Sequence, residues 1–457
     1  MPLPTTFAGD SARGEGLFAS TISLSAGYWM SILSSPSLTL GYGVTIDSSG
    51  NVYICGQGVD SAGATIAFVS KWNSSGVLQW QRTLTDVYSP PNTILQNITV
   101  DSSGNVYVCG SGLNASNFNV QFISKWDSSG TLQWQRTLNS AGGYKTQTDA
   151  SLGIYVDSSS NVYVCGNGAD GAGNGILSLS KWDSSGTLQF QKKLVGSSVS
   201  LKGTGITLDS SGNIYVCGNT QGRVFISKWD SSGTLQWQTS VGNPGAVAGA
   251  SGNATVLDSS GNVYVAGGGQ NSAGYAIQFI AKWNSSGTLQ WQRTLTDVNS
   301  TPGGSAYGIS IDSSNYIYVC GSGYSSAGRT VQSISKWDSS GTIQWQRTIT
   351  DNSSIPSDVA SKIIVDNSGN MYVVGYILPS TGSFVASISK LPTDGSRTGT
   401  YSNSVFGFTY ASSSWTAATS TWSSTNPAYT ASTSTWTAAT STWTAATSTW
   451  TTSTVSI

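Results

Sequence analysis

Five cysteines, Cys55, Cys109, Cys165, Cys217 and Cys320, are the side chains best equipped to ligate a metal or form disulfides, and their placement argues against both. Each is the fourth residue of a Val-Tyr-Val-Cys-Gly run or a close variant, and two further copies of that run carry Ala266 and Val374 there. A slot that exchanges Cys for Ala and Val is a small apolar packing position. Equivalent positions on separate units would also lie beyond the roughly 7 Å between Cα atoms that a disulfide can span. Seven aspartates recur as regularly: Asp47, Asp101, Asp157, Asp209, Asp258, Asp312 and Asp366. Their Asp-Ser-Ser-Gly-Asn context superficially resembles part of a calcium loop, but the later bidentate glutamate is missing. The expected role of each is to accept backbone N–H bonds inside its own turn. Lys71, Lys125, Lys181, Lys228, Lys282, Lys336 and Lys390 also occur once per copy, and are expected in structural ion pairs or as stems over apolar surface.

Little other chemistry is available. Histidine is absent and Glu15 is the sole glutamate, which removes histidine triads, histidine metal sites and glutamate-paired acid/base work. No metal or cofactor is expected. A formal net charge of -1 offers no general attraction to nucleic acid or to anionic membranes. No run approaches the roughly 20 apolar residues of a membrane span. The first ten residues lack the basic and apolar regions of a secretory signal.

The elements that must position these residues follow from the repeat. Successive copies of the aspartate lie 49 to 56 residues apart, and each is followed by a Lys-Trp-Asp/Asn-Ser-Ser-Gly motif with Trp72, Trp126, Trp182, Trp229, Trp283 or Trp337; the seventh copy degenerates to Lys390-Leu391-Pro392-Thr393-Asp394-Gly395. Both motifs are hairpin turns whose glycine takes positive φ, and the runs between them alternate with period two in Val, Ile, Tyr, Trp and Thr. Two hairpins per unit of about 50 residues make a four-stranded blade. Seven copies predict an all-β, seven-bladed propeller over residues 26–400, preceded by an N-terminal arm, 1–25. The segment Tyr28-Trp29-Met30-Ser31-Ile32-Leu33 matches the fourth-strand pattern of Gln79-Trp80-Gln81-Arg82-Thr83-Leu84, whereas 396–401 contains no tryptophan. Residues near 26–34 are therefore expected to complete the last blade and leave no open sheet edge.

The pattern Asp-x-x-Gly-Asn-Val-Tyr-Val-x-Gly, followed by Lys-Trp-Asp-x-x-Gly-x-Leu-x-Trp, resembles the bacterial SBBP-type β-propeller repeats over about residues 26–400. The Trp-Asp-Ser-Ser-Gly-Thr turn is also similar to the hairpin of sialidase-like propellers, without a match to their catalytic Arg, Tyr and Glu. The resemblance implies fold and little about function. Recognition is expected on the variable connections that share one face of the disc, with Tyr88, Tyr144, Lys145, Arg223, Tyr275, Tyr324 and Arg329 as candidate contacts.

After Arg397 no charged residue occurs, and Phe408, Trp415, Trp422, Tyr429, Trp436, Trp443, Trp450 and Ile457 follow at intervals of seven. This period predicts an oligomerising stem over 401–457, helical or β, in which one large apolar side chain per heptad meets a partner copy, with a trimer as the first expectation. Residues 390–401 and the following heptads resemble the C-terminal part of virion structural proteins of marine bacteriophages. That resemblance implies a tail fibre, appendage or capsid-surface protein, with other virion proteins and a host-surface glycan as partners. A bacterial surface adhesion propeller is the alternative, and an enzyme working at the propeller axis is the third reading.

Overall fold

The structure is a computed structural model, and it describes residues 18–23, 27–35, 37–86, 91–114, 116–139, 149–169, 174–196, 200–242, 249–271, 273–297, 303–353, 357–379, 382–402, 407–413, 415–419, 423–425, 430–433, 437–440 and 444–447. Seven antiparallel sheets stand around a common axis. In the first blade the strands Thr39–Ile46, Val52–Val59, Thr65–Trp72 and Leu78–Thr85 run from the axis outward. The first strands of the other blades begin at Ile94, Ala150, Leu201, Ser251, Ser305 and Val359, and each packs on the first strand of its neighbours.

The turns behave as their residues require. Asp47 Oδ1 accepts the backbone N–H of Ser49 and Asn51, each at 2.9 Å, and its Oδ2 takes Asn51 Nδ2 at 2.8 Å and the Tyr53 hydroxyl at 3.0 Å. Burial alone would raise this carboxyl, but the hydrogen bonds outweigh it and hold Asp47 below the usual range. The same pattern recurs at Asp101, Asp157, Asp209, Asp258 and Asp366, so these aspartates close turns. The repeated lysines are less ionic than expected. Lys71, Lys125, Lys181, Lys228, Lys282, Lys336 and Lys390 each lie over a tyrosine ring, at 5.0 to 5.8 Å from the ring of their own blade's second strand. Among the described residues Lys282–Asp258, at 3.6 Å, is the one ion pair.

Blade joins blade through the outer tryptophans. Trp80 Nε1 donates to Ser128 O at 3.0 Å and Arg82 Nε to Gly130 O at 2.8 Å, both in the turn of the second blade. Each seam between neighbouring sheets holds its own apolar cluster, seven in all among the described residues. The seam between the last and first blades uses the same parts. Strand Trp29–Ser34 pairs with Val385–Pro392, Trp29 facing Lys390 as Trp80 faces Lys71. Trp29 Nε1 donates to Ser74 O at 3.0 Å. The N-terminal segment thus closes the ring, as its tryptophan predicts.

Two expectations are corrected. The N-terminal arm is partly propeller, because Phe18–Ser23 pairs with Trp29–Ser34 as a fifth strand on the last blade. The described stretches of the heptad segment do not project as a stem: they lie along the rim. Gly407–Ser412 pairs with the outer strand of the sixth blade, and Thr416–Thr419, Ser423–Thr425, Thr430–Thr433, Thr437–Thr440 and Thr444–Thr447 pair with the fifth, fourth, third, second and first in turn. Seven extended residues reach at most about 25 Å, and here each heptad advances the chain by one blade. Phe408 and Trp415 are buried in their own chain, Trp415 in the cluster between the fifth and sixth blades. Trp422, Tyr429, Trp436, Trp443, Trp450 and Ile457 lie outside the described residues.

Candidate axial binding site

All five cysteines are free and buried. Burial pushes the thiols of Cys217 and Cys320 up to about 11 and about 12, so they remain protonated packing groups at neutral pH. The glycine that follows them has the more specific task. Each first strand slips register against its second strand, for instance between Gly41 and Gly43, Leu95 and Asn97, and Ala360 and Lys362. The bulge drives a backbone carbonyl toward that glycine: a Cβ on Gly110 would lie 1.9 Å from Ile94 O, and on Gly218 1.7 Å from Lys202 O. Only glycine can stand opposite such a bulge.

The slip leaves one extra residue per blade on the axial side: Tyr42, Gln96, Leu152, Thr204, Asn253, Tyr307 and Ser361. All seven line one cavity of about 330 Å³, together with Asn97, Val359, Lys362 and Tyr376. These positions lie in the early half of strands that enter from the face carrying the variable connections, so the cavity belongs to that face. A second space of about 200 Å³ continues along the axis toward the aspartate turns, and Asn97 and Lys362 line both.

The ring is chemically uneven. Tyr42, Tyr307 and Tyr376 gather on the first, sixth and seventh blades, and burial raises the phenols of Tyr42 and Tyr376. Amides dominate elsewhere. Asn97 Nδ2 donates to Leu152 O at 3.4 Å and Asn253 Nδ2 to Ala306 O at 2.7 Å, while the Thr204 hydroxyl donates to Gly252 O; each bond ties one blade to the next. The residue after each bulge is Gly43, Asn97, Gly153, Gly205, Ala254 or Gly308 in six blades, because neighbouring first strands nearly touch there. A Cβ on Gly308 would sit 2.8 Å from Lys362 Cα. The seventh blade alone places a long cation at this neck, Lys362. Burial pulls its amine below the ordinary lysine value, with the thiols of Cys217 and Cys320 acting in the opposite sense.

None of the four contacts expected from sequence that lie among the described residues, Arg223, Tyr275, Tyr324 and Arg329, is in the lining of this cavity. Arg223, Tyr275, Tyr324 and Arg329 lie at the connections between second and third strands of the fourth, fifth and sixth blades, on the same face but away from the lining. Arg223 Nε donates to Ser240 Oγ at 3.1 Å, the Tyr324 N–H to Asp297 Oδ2 at 2.7 Å, and Tyr275 and Arg329 are exposed. Tyr88, Tyr144 and Lys145 lie outside the described residues. The axial residues carry a sequence signal of their own: aligning each copy on its aspartate puts Lys362 in a column otherwise filled by Gly, Ala and Asn.

Seven sheets closed about an axial cavity define a seven-bladed β-propeller. Residues 88–119 and 190–226 match the family model for the SBBP beta-propeller repeat, in keeping with the seven-bladed fold. No curated protein matches the chain in sequence. Among solved structures it is similar to a protein of unknown function from Dyadobacter fermentans, with 9% identity, TM-score 0.41 and coverage of 83% of this chain and 100% of that one. A polysaccharide lyase of family PL25, an ulvan lyase bound to a GlcA–Rha3S saccharide, gives 12% identity, TM-score 0.46 and coverage of 72% and 88%. Plexin A of Drosophila, in complex with Semaphorin 1b, gives 8% identity, TM-score 0.41 and coverage of 79% and 87%.

Proposed function

We propose that this protein is a non-enzymatic binding propeller that accepts a saccharide in its axial cavity, on the face of the variable connections. The observation that carries the reading is the lining itself. Where the repeats are otherwise near copies of one another, the axial positions diversify into tyrosines, amides and hydroxyls around about 330 Å³. Concave sites of this size with a few placed polar groups suit small ligands. Tyrosine offers a flat apolar face and a polar tip for a sugar ring, and amides both donate to and accept from its hydroxyls. The test is calorimetric titration of a panel of mono- and oligosaccharides into the wild-type chain and Tyr307→Ala. Tyr307 is 38% exposed, so its removal spares the fold. Saccharide binding weakened by Tyr307→Ala is expected; no binding across the panel, or binding indifferent to the substitution, counts against the reading.

Display on a virion surface is the setting we attach to this binding role, on the C-terminal resemblance alone, since the rim strands remove the stem as support for a fibre. Proteomics of purified particles from the source would find the chain in stoichiometric amount, and its absence would remove that setting.

A further inference from the structure

We propose that the group recognised at the bottom of the axial cavity is an anion, the carboxylate or sulfate of an acidic saccharide, held by the Lys362 amine. The proposal rests on the saccharide reading and specifies its ligand class.

Lys362 stands at the neck where the two axial spaces meet and lines both. Among the described residues neither lining contains a carboxylate, and no ion pair or hydrogen bond reaches its amine. An enclosed, unpaired ammonium is costly, and the six other blades show that the fold does not need it, since Gly, Ala or Asn serves at the same position. In a narrow cavity with low-dielectric walls a single cation dominates the local potential, because no opposing charge stands near and solvent screens it poorly. The tyrosines beside it, Tyr42, Tyr307 and Tyr376, would face the ring of a sugar whose acidic substituent points inward. An anion reaching this neck gains a charge-assisted hydrogen bond and gives Lys362 the counter-charge it lacks.

Three probes that differ only at C6 test this by calorimetry: glucose, glucuronate and glucose 6-sulfate, with inorganic sulfate as a fourth. Wild-type protein and Lys362→Met are compared, and thermal unfolding checks the variant, which is expected to be at least as stable as wild type because it loses an unpaired charge. We expect glucuronate or glucose 6-sulfate to bind at least about tenfold more tightly than glucose, with the preference abolished in Lys362→Met; whichever acid wins identifies the source of the anion. Equal affinity for glucose and both acids, dependent on Tyr307, would overturn the anion while sparing the saccharide reading. A preference for acid that survives Lys362→Met would overturn the role of this lysine. Sulfate binding that needs Lys362, without binding of any sugar, would uphold the anion site and reject the saccharide. Binding of none of the four overturns the proposal.

Discussion

Replacing Ala281 with serine should stabilise the protein. In five blades the buried tryptophan of the third strand donates its indole N–H to a serine two residues earlier: Trp72 to Ser70 at 3.0 Å, and Trp126, Trp182, Trp229 and Trp337 to Ser124, Ser180, Ser227 and Ser335, each at 2.9 Å. The fifth blade has Ala281 in that place, and Trp283 Nε1, fully buried, finds no acceptor among the described residues. A buried donor without a partner costs about 1–3 kcal/mol. The new hydroxyl need not be orphaned, because Ser227 both accepts from its tryptophan and donates to Val216 O at 3.4 Å, and Val265 O occupies the corresponding place beside residue 281. After the serine's own desolvation the net gain should be about 1 kcal/mol. With an unfolding entropy of about 2 cal/mol/K per residue, that is a rise of about 1 °C in Tm for a chain of this length. Ser227→Ala, the reverse change in an intact blade, should lower Tm by about 1–3 °C. Calorimetry and guanidinium midpoints on the two variants and the parent measure both, and indole N–H exchange reports directly on Trp283. An Ala281→Ser chain no more stable than wild type, beside a Ser227→Ala chain that is clearly weakened, would refute the bookkeeping of this buried bond.

Three further outcomes follow from the same structure. Trp29→Ala should cost about 3–5 kcal/mol, because the ring is 2% exposed, bonds to Ser74 O and sits on the strand that completes the last blade by pairing with Val385–Pro392 from the far end of the chain; hydrogen exchange should show strand 29–34 losing protection first, and unchanged protection would count against closure by this strand. Truncation after Ser413 should expose the outer edges of five blades, lowering Tm and promoting self-association in sedimentation; a truncated chain that instead dissociates from a larger assembly with unchanged Tm would restore the stem. Asp358, wholly buried, accepts the Asp351 N–H at 2.7 Å, and burial with the adjacent Asp351 carboxyl raises its pKa far above the usual range. The folded state therefore keeps a proton that the unfolded chain releases near pH 4, so this contribution is complete below about pH 4 and lost as pH rises through the folded value. Asp358→Asn should flatten the decline of unfolding free energy with pH, and an unaltered slope would exclude this pair as its source.

What the chain alone determined was everything written in repetition. Seven aspartate turns, paired hairpins and an orphan Trp29 strand specify the number of blades and their closure, because strand alternation and positive-φ glycines are local properties that each copy states again. The cysteines were legible as packing residues for the same reason. Tertiary structure decided the rest. A heptad with one aromatic per turn of the pattern serves equally as a seam between copies or as a step along a rim, and the difference lies in an edge-to-edge pairing of strands such as Thr416–Thr419 with Leu289–Thr296, far apart in sequence. The axial cavity is decided in the same way. Tyr42, Tyr307 and Lys362 stand in separate copies, and only closure of the ring brings their bulges together, because a bulge exists solely as a mismatch between two paired strands. The lysine was visible as an odd letter in a column of small residues; that the column is the axis, where Lys362 lines the cavity with no carboxylate beside it among the described residues, is a fact of three dimensions.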